Sequence, residues 1–349
     1  MTEYRKMQQR QMTAAQWATN NPVLLSGEIG YETDTKRTKI GDGTHTWVQL
    51  TYTCDLDAPA QIANGTYHGV DLAVKFAGEI AAGSYSNVQA WLHARIQARN
   101  YAGIYPGDYF KVNCSALTID SNSVAAQERT IYIADIEPYY DCGDTEPLMK
   151  KHITCMFKVN ETIKWNENNN NNGTETENNP WRASKLFAVL NGVDNASTNY
   201  GGAVGFDAED AGYFQTLPSD LQGYIVEQRV CLDKRYSSTA LLTENNGFVW
   251  AGRGKLFAPS EIELYGCPIF SASSTGANNN AARGPYKQFP VFKKAGAYGR
   301  LYFGRMHAWS SSVTEGSSSN ACIVNNNGIA GNSNTSNTNV RAFACFHMG

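Results

Sequence analysis

Hydrophobic residues fall in short runs separated by polar, glycine-rich turns, and only a few runs keep helical spacing. Thr13 followed by AAQWATNN predicts a short capped helix. GEIGYETDT (27–35) and RTKIGDGT (37–44) predict two short strands joined by a polar turn, and GDG (41–43) a second tight turn. Residues 53–84 keep no firm period and read as a connector. Over 87–100, Val88, Trp91, Leu92 and Ile96 mark one face of a helix. IYPGDYFKV (104–112) and RTIYIADIEPYY (129–140) alternate as strands do, and WRASKLFAVLNG (181–192) is a second helix closing on Asn-Gly. Pro259-Ser260 before EIELYG sets a helix start, with Glu261 and Glu263 in its first turn. The last signals are CIV (322–324) and VRAFACF (340–346), two apolar runs of buried-strand type.

Two stretches break this rhythm with asparagine. WNENNNNNGTETENNP (165–180) has almost no apolar content and reads as an exposed loop. Residues 307–339 carry as many small amides and hydroxyls, but Trp309, CIV and VRAFACF frame them as strands. A polar run held between strands is a presented surface with adaptable donors and acceptors. The candidate binding residues are Trp309, Ser311, Ser318, Asn320, Asn325, Asn327, Asn332, Asn334 and Asn337. The competing possibility is that these asparagines only cap turns, and Trp309 is equally placed to be core.

The composition narrows the function. The formal net charge is −3 and charged residues make up 17% of the chain, so no basic field collects nucleic acid. The first residues, MTEYRKMQQRQ, lack the apolar core of a signal peptide, and no apolar run approaches a membrane span. The eight cysteines show no metal spacing and sit mostly in apolar contexts, which favours free buried thiols. No cofactor or metal is expected, though calcium leaves too little sequence signature to decide. Cys322 and Cys345 lie near His307 and His347, but thiols in apolar strands stay protonated. Asp207, Glu209 and Asp210 are close enough for a paired-carboxylate site, yet adjacent acids are usually solvated loop residues. The expectation is a protein that is not an enzyme.

The pattern L-x-x-G-E-x-G-Y-E-T-D-T-x-x-x-K-x-G-D-G, intact over residues 24–43, resembles the β-prism leader of the major tropism determinant family, a module of phage tail fibres and receptor-binding proteins. The resemblance covers roughly 40 residues and implies a homotrimer. The order of elements from residue 85 to VRAFACF resembles a C-type-lectin-fold domain of the kind in variable proteins made by diversity-generating retroelements. Where that family closes on Arg-Pro-Ala, Ala342 stands in place of proline here.

These resemblances imply a β-rich α+β chain: a small N-terminal β-prism-like tail-attachment and trimerisation module (1–52), a connector (53–84) and a C-type-lectin-like receptor-binding domain (85–349). The implied location is the virion tail. The implied partners are tail or baseplate proteins and a bacterial surface receptor, glycan or protein, with no nucleic acid and no membrane insertion. The alternatives are a tail-spike enzyme degrading surface polysaccharide and a structural tail-tip protein. Retroelement-type variation would rewrite the polar positions while Trp309, Ile323, Val340, Phe343 and Phe346 stay as framework.

Overall fold

The computed structural model describes residues 10–35, 37–50, 52–54, 69–119, 122–192, 198–199, 202–203, 211–271, 287–293 and 306–349. The chain is β-rich, with several sheets and short helices. Its contacts divide into two units, one gathering residues 1–68 with 98–105 and the other 69–97 with 106–349. Among the described residues, no helix is long and apolar enough to cross a membrane.

In the first unit, strands β1 (Arg10–Met12), β2 (Ile29–Glu32), β3 (Thr38–Ile40) and β4 (Tyr52–Cys54) form one sheet in sequence order. β1 runs parallel to β2, and the other pairs are antiparallel. The predicted helix spans Ala14–Asn20: Thr13 accepts from the Gln16 amide and Gln16 accepts from the Thr13 amide, a reciprocal cap. Trp17, Leu24 and Trp47 are its buried cluster, with the two indoles stacked at 3.9 Å.

The motif residues follow from this small core. A Cβ on Gly30 would stand 2.3 Å from the Trp47 ring, and one on Gly41 would stand 2.3 Å from the Leu25 carbonyl, so neither position has room for a side chain. Gly27 and Gly43 turn with φ of +82° and +79°, where any Cβ is strained. Lys39 is buried, donates to the Trp47 carbonyl (2.8 Å) and lies over the Trp47 ring.

The second unit is built on an eight-stranded sheet. The described strands of this unit, in the sheet and beside it, are β5 (Tyr109–Cys114), β6 (Leu117–Ile119), β7 (Asn122–Val124), β8 (Gln127–Ile136), β9 (Ile153–Val159), β10 (Thr198–Asn199), β11 (Gly202–Ala203), β12 (Ile225–Val226), β13 (Arg229–Lys234), β14 (Gly247–Gly252), β15 (Ala308–Val313), β16 (Asn320–Val324), β17 (Ala330–Asn334) and β18 (Arg341–Met348). The sheet order is β17-β16-β15-β18-β9-β8-β5, with β12 also on β18, while β6–β7, β10–β11 and β13–β14 are separate hairpins. β18 runs parallel to β15 and antiparallel to β9, from Ala342 opposite Val159 to Met348 opposite Ile153. Residues 342–348 are all buried, as a continuous apolar run requires of a central strand.

Short helices cover this sheet. The 181–192 signal gives helix Lys185–Asn191, with Ser184 accepting from the Phe187 amide and Gly192 closing it at φ +66°. Helix Glu261–Tyr265 starts on the predicted Ser260 cap. Its Glu263 is fully buried between Arg253, which binds it through two contacts of 2.6 and 2.8 Å, and the Tyr139 hydroxyl. Burial alone would raise the Glu263 carboxyl, but Arg253 outweighs it and holds the group below its usual range.

The asparagine run 165–180 is where structure and sequence part most clearly. Instead of an exposed loop, Asn166, Asn170, Asn171, Asn172, Thr174 and Asn179 are buried. The Asn171 amide nitrogen donates to the Ser317 and Asn320 carbonyls (2.8 and 2.7 Å), and its oxygen accepts from Arg235 (3.0 Å). Asn172 pairs in both directions with the backbone of Leu242, and Asn179 donates to the Asp233 carbonyl. Arg235, with no exposed surface, also donates to the Thr314 and Ser317 carbonyls and pairs with Glu315 at 3.0 Å. The correction has a simple cause. An uncharged amide meets backbone donors and acceptors without the desolvation cost of an ion, so an asparagine run can replace water inside a polar core.

Candidate functional site

The structure sorts the predicted binding residues into three groups. Trp309 is core: its ring is fully buried and its indole nitrogen donates to the Ile163 carbonyl at 2.6 Å, so it presents nothing to a ligand. Ser311 lines a small cavity of about 60 Å³ with Ser260, Ser271 and Ser312, and its amide donates to the Pro259 carbonyl. The Ser318 carbonyl takes the Asn171 amide.

The second group caps turns. Asn325 accepts from the amides of Asn327 and Ile329 in the β16–β17 connection, Asn334 from the Ser336 amide, and Asn337 from the Asn339 amide. The third group faces outward. Asn327 and Asn332 are exposed, and Asn320 reaches across from β16 to donate to the Asn332 side chain (2.9 Å).

Next to these turns lies a cleft of about 620 Å³, within the roughly 300–1,000 Å³ of ligand sites. It is lined by Ser123, Glu161, Thr162, Lys164, Glu167, Lys185, Tyr213 and Thr338, among others. One wall is segment 161–167, leaving β9. Alternate residues Ile163 and Trp165 turn into the core while Glu161, Lys164 and Glu167 stay partly exposed. The C-terminal turns fix this wall: the Ile163 amide donates to the Val340 carbonyl, and the Trp165 and Asn166 amides to that of Thr335. Cleft and turns are therefore one continuous surface.

The charges in the cleft come in two sets. Glu161 accepts from the Tyr213 hydroxyl at 2.7 Å, with the buried Arg129 guanidinium 3.8 Å away. Burial and then the Glu161 charge push the Tyr213 hydroxyl far above its usual range, so it stays a donor. Glu167 takes two ammonium groups, Lys164 at 2.8 Å and Lys185. Burial raises its carboxyl, but the two lysines prevail and hold it below the ordinary value.

Among the described residues, the considered Cys–His chemistry is not set up. Burial raises the thiols of Cys322 and Cys345 well above their usual range, and the ring nitrogens of His347 are taken by Thr154 and Gln228. Asp207, Glu209 and Asp210 lie outside the described residues. Among the described residues, no group of three or more His, Cys, Asp or Glu side chains is placed to hold a metal. No residue of the cleft is singled out from the sequence; the half-buried alternation of Glu161, Lys164 and Glu167 around Ile163 and Trp165 is the signal that marks its wall. Lys185 and Tyr213 reach it only through the fold.

Comparison with known proteins places the leader. Residues 7–45 match the major tropism determinant N-terminal domain. A hyaluronoglucosaminidase of one Streptococcus pyogenes phage is 47% identical over 47 residues, 14% of this chain and 13% of that protein. A hyaluronoglucosaminidase from a second S. pyogenes phage is 42% identical over 52 residues, 15% of each. A solved full-length streptococcal bacteriophage hyaluronidase, in complex with unsaturated hyaluronan octa-saccharides, is 45% identical over 14% of each chain, with a TM-score of 0.14. A solved group A streptococcal phage-encoded tail-fibre showing hyaluronan lyase activity is 32% identical, covering 22% of this chain and 24% of that one, with a TM-score of 0.15. The shared part is thus a small fraction of every relative, and it is the part that phage tail proteins have in common with this chain. The finding also corrects one expectation. The curated proteins sharing the leader are named hyaluronoglucosaminidases, which overturns the expectation of a chain that is not an enzyme.

Proposed function

We propose that the chain is a phage tail-fibre protein directed at a polysaccharide of the bacterial surface, with the leader as tail-attachment module and the second unit carrying the glycan-processing site. The observation that carries this is the cleft at Glu161, Glu167 and Tyr213, a polar groove joined to the C-terminal turns, in a chain whose leader is shared with phage hyaluronoglucosaminidases. Ionisable acids and hydroxyl donors converging in one groove are what glycan chemistry needs. The test is to incubate the full chain with hyaluronan and with extracted surface polysaccharides, following new reducing ends and unsaturated products. Release of oligosaccharides supports the proposal. Intact polymer of every kind, with cells left unbound, sinks it.

A second reading is favoured by the outward group at Asn320, Asn327 and Asn332. Here the β16–β17 hairpin is a lectin-like recognition face for the same surface molecule, with variable polar positions on a fixed framework. Binding to cells without product release selects it. Trimerisation belongs to either reading. Ile29 and Ile40 are direct neighbours across β2 and β3, both are exposed, and Val23, Leu25 and Val48 are exposed too. So much apolar surface on so small a module calls for a partner copy. Light scattering that finds only monomer at micromolar concentration ends this part.

A further inference from the structure

We infer that the cleft selects an acidic polymer, and that Lys164 is the residue that reads its negative groups. The inference rests on the polysaccharide reading above. Its basis is the double pairing of Glu167, whose carboxylate is held at once by Lys164 and Lys185. The two lysines are not equivalent: the Lys164 side chain is 33% exposed and the Lys185 side chain 6%. Lys185 is fixed in the wall, where its backbone amide also donates to the Asn166 side-chain oxygen (3.0 Å) at the start of helix Lys185–Asn191. Lys164 is therefore the ammonium that a ligand reaches. It can turn from Glu167 to an incoming anion without orphaning that carboxylate, because Lys185 remains on it.

The other acid of the cleft does not oppose this. Glu161 is engaged by the Tyr213 hydroxyl and lies beside Arg129, so its charge is balanced from behind. Around the two acids, Ser123, Thr162 and Thr338 supply neutral hydroxyls suited to sugar or polyol groups. The chemistry recognised is a repeating hydroxylated unit bearing a carboxylate or a phosphodiester. A lysine serves for either, as a point charge on a flexible stem.

The test is titration calorimetry of the full chain with hyaluronan oligosaccharides, a glycerol-phosphate polymer and dextran of matched length. The acidic polymers are expected to bind more tightly than dextran, and more weakly as salt rises. Whichever acidic polymer binds identifies the source of the charge. Lys164→Ala should weaken acidic binding by about tenfold, a difference of about 1.4 kcal/mol, and leave dextran unaffected. Lys164→Arg should restore most of the loss. Glu167→Gln should strengthen acidic binding, since it removes the competing carboxylate; a purely structural pair would instead lose binding or folding in both variants. Thr338→Trp, at an exposed position on the rim, should obstruct every polymer and so locate the binding. Equal affinity for neutral and acidic polymers, or unchanged acidic binding in Lys164→Ala, overturns the inference while the polysaccharide reading stands. Binding of no polymer overturns both.

Discussion

Two asparagine-rich stretches meet opposite fates in this protein. The run 165–180 is largely buried and holds other segments through its amides, whereas the asparagines of 325–339 are half-buried or exposed and bond mainly to their neighbours in the chain. What separates them is the partner. Asn171, Asn172 and Asn179 bind the backbone of segments far away in sequence, near Leu242, Asp233 and Ser317. Asn325, Asn334 and Asn337 bind amides two to four residues on. Asparagine is therefore a poor indicator of exposure. The reach of its hydrogen bonds decides whether it staples a core or shapes a turn.

The contrast breaks first at the centre of the buried network. Arg235→Ala should cost about 3–5 kcal/mol in chemical denaturation, because it leaves Glu315 and several carbonyls buried without their cation. A loss below about 1 kcal/mol would mean that the network contributes little. The same region should respond to pH. Burial, with the nearby Glu315 charge, raises the Asp233 carboxyl to about 7. A carboxyl raised in the folded state gives stability that is fully present below the unfolded value of about 4 and is lost as pH climbs through about 7. Asp233→Asn should flatten that slope and stabilise the protein at pH 8 by on the order of 2–4 kcal/mol, read from denaturation at pH 4, 6 and 8. Residues 320–339 contain no Asp, Glu, His, Lys or Arg and should add nothing to it.

Smaller effects sharpen the comparison. Asn171→Ala strands two carbonyls and should cost about 2–3 kcal/mol. Asn325→Ala removes a cap from two amides in a half-exposed turn, and about 1 kcal/mol is expected. Asn327→Ala and Asn332→Ala should each stay within roughly 0.5 kcal/mol while weakening attachment to host cells, as measured by pull-down of the fluorescent protein. Melting that falls as far for these two as for Asn171→Ala would erase the distinction.

Much of the framework was legible in the sequence. The leader motif, the Thr13 and Ser260 caps, helix Val88–Gln97 and strands β16 and β18 all fall where apolar period and capping chemistry put them. Strand ends shifted where backbone geometry intervened: β8 stops at Ile136, just before Glu137 takes a left-handed φ of 46°. The sequence leaves Trp309 open between core and contact and points wrongly to exposure for the 165–180 run, because the burial of both depends on partners more than a hundred residues away or on segments with no pattern of their own. The cleft went unread for the same reason. Its 161–167 wall shows an alternation, while Lys185 and Tyr213 are brought in by helices packed from elsewhere.

The place of β18 in the sheet has a consequence for how the protein is made. Every other strand of that sheet precedes it in the chain, yet it sits between β15 and β9 and joins the two halves. During synthesis β9, β8 and β5 wait with an open edge, and so does the β15–β16–β17 group, until the last strand arrives. Closure then brings together residues some 190 positions apart, such as Thr154 and His347, a slow step that leaves apolar edges open to other chains meanwhile. Loss of only a few residues from β18 would therefore not trim the sheet but leave it in two pieces.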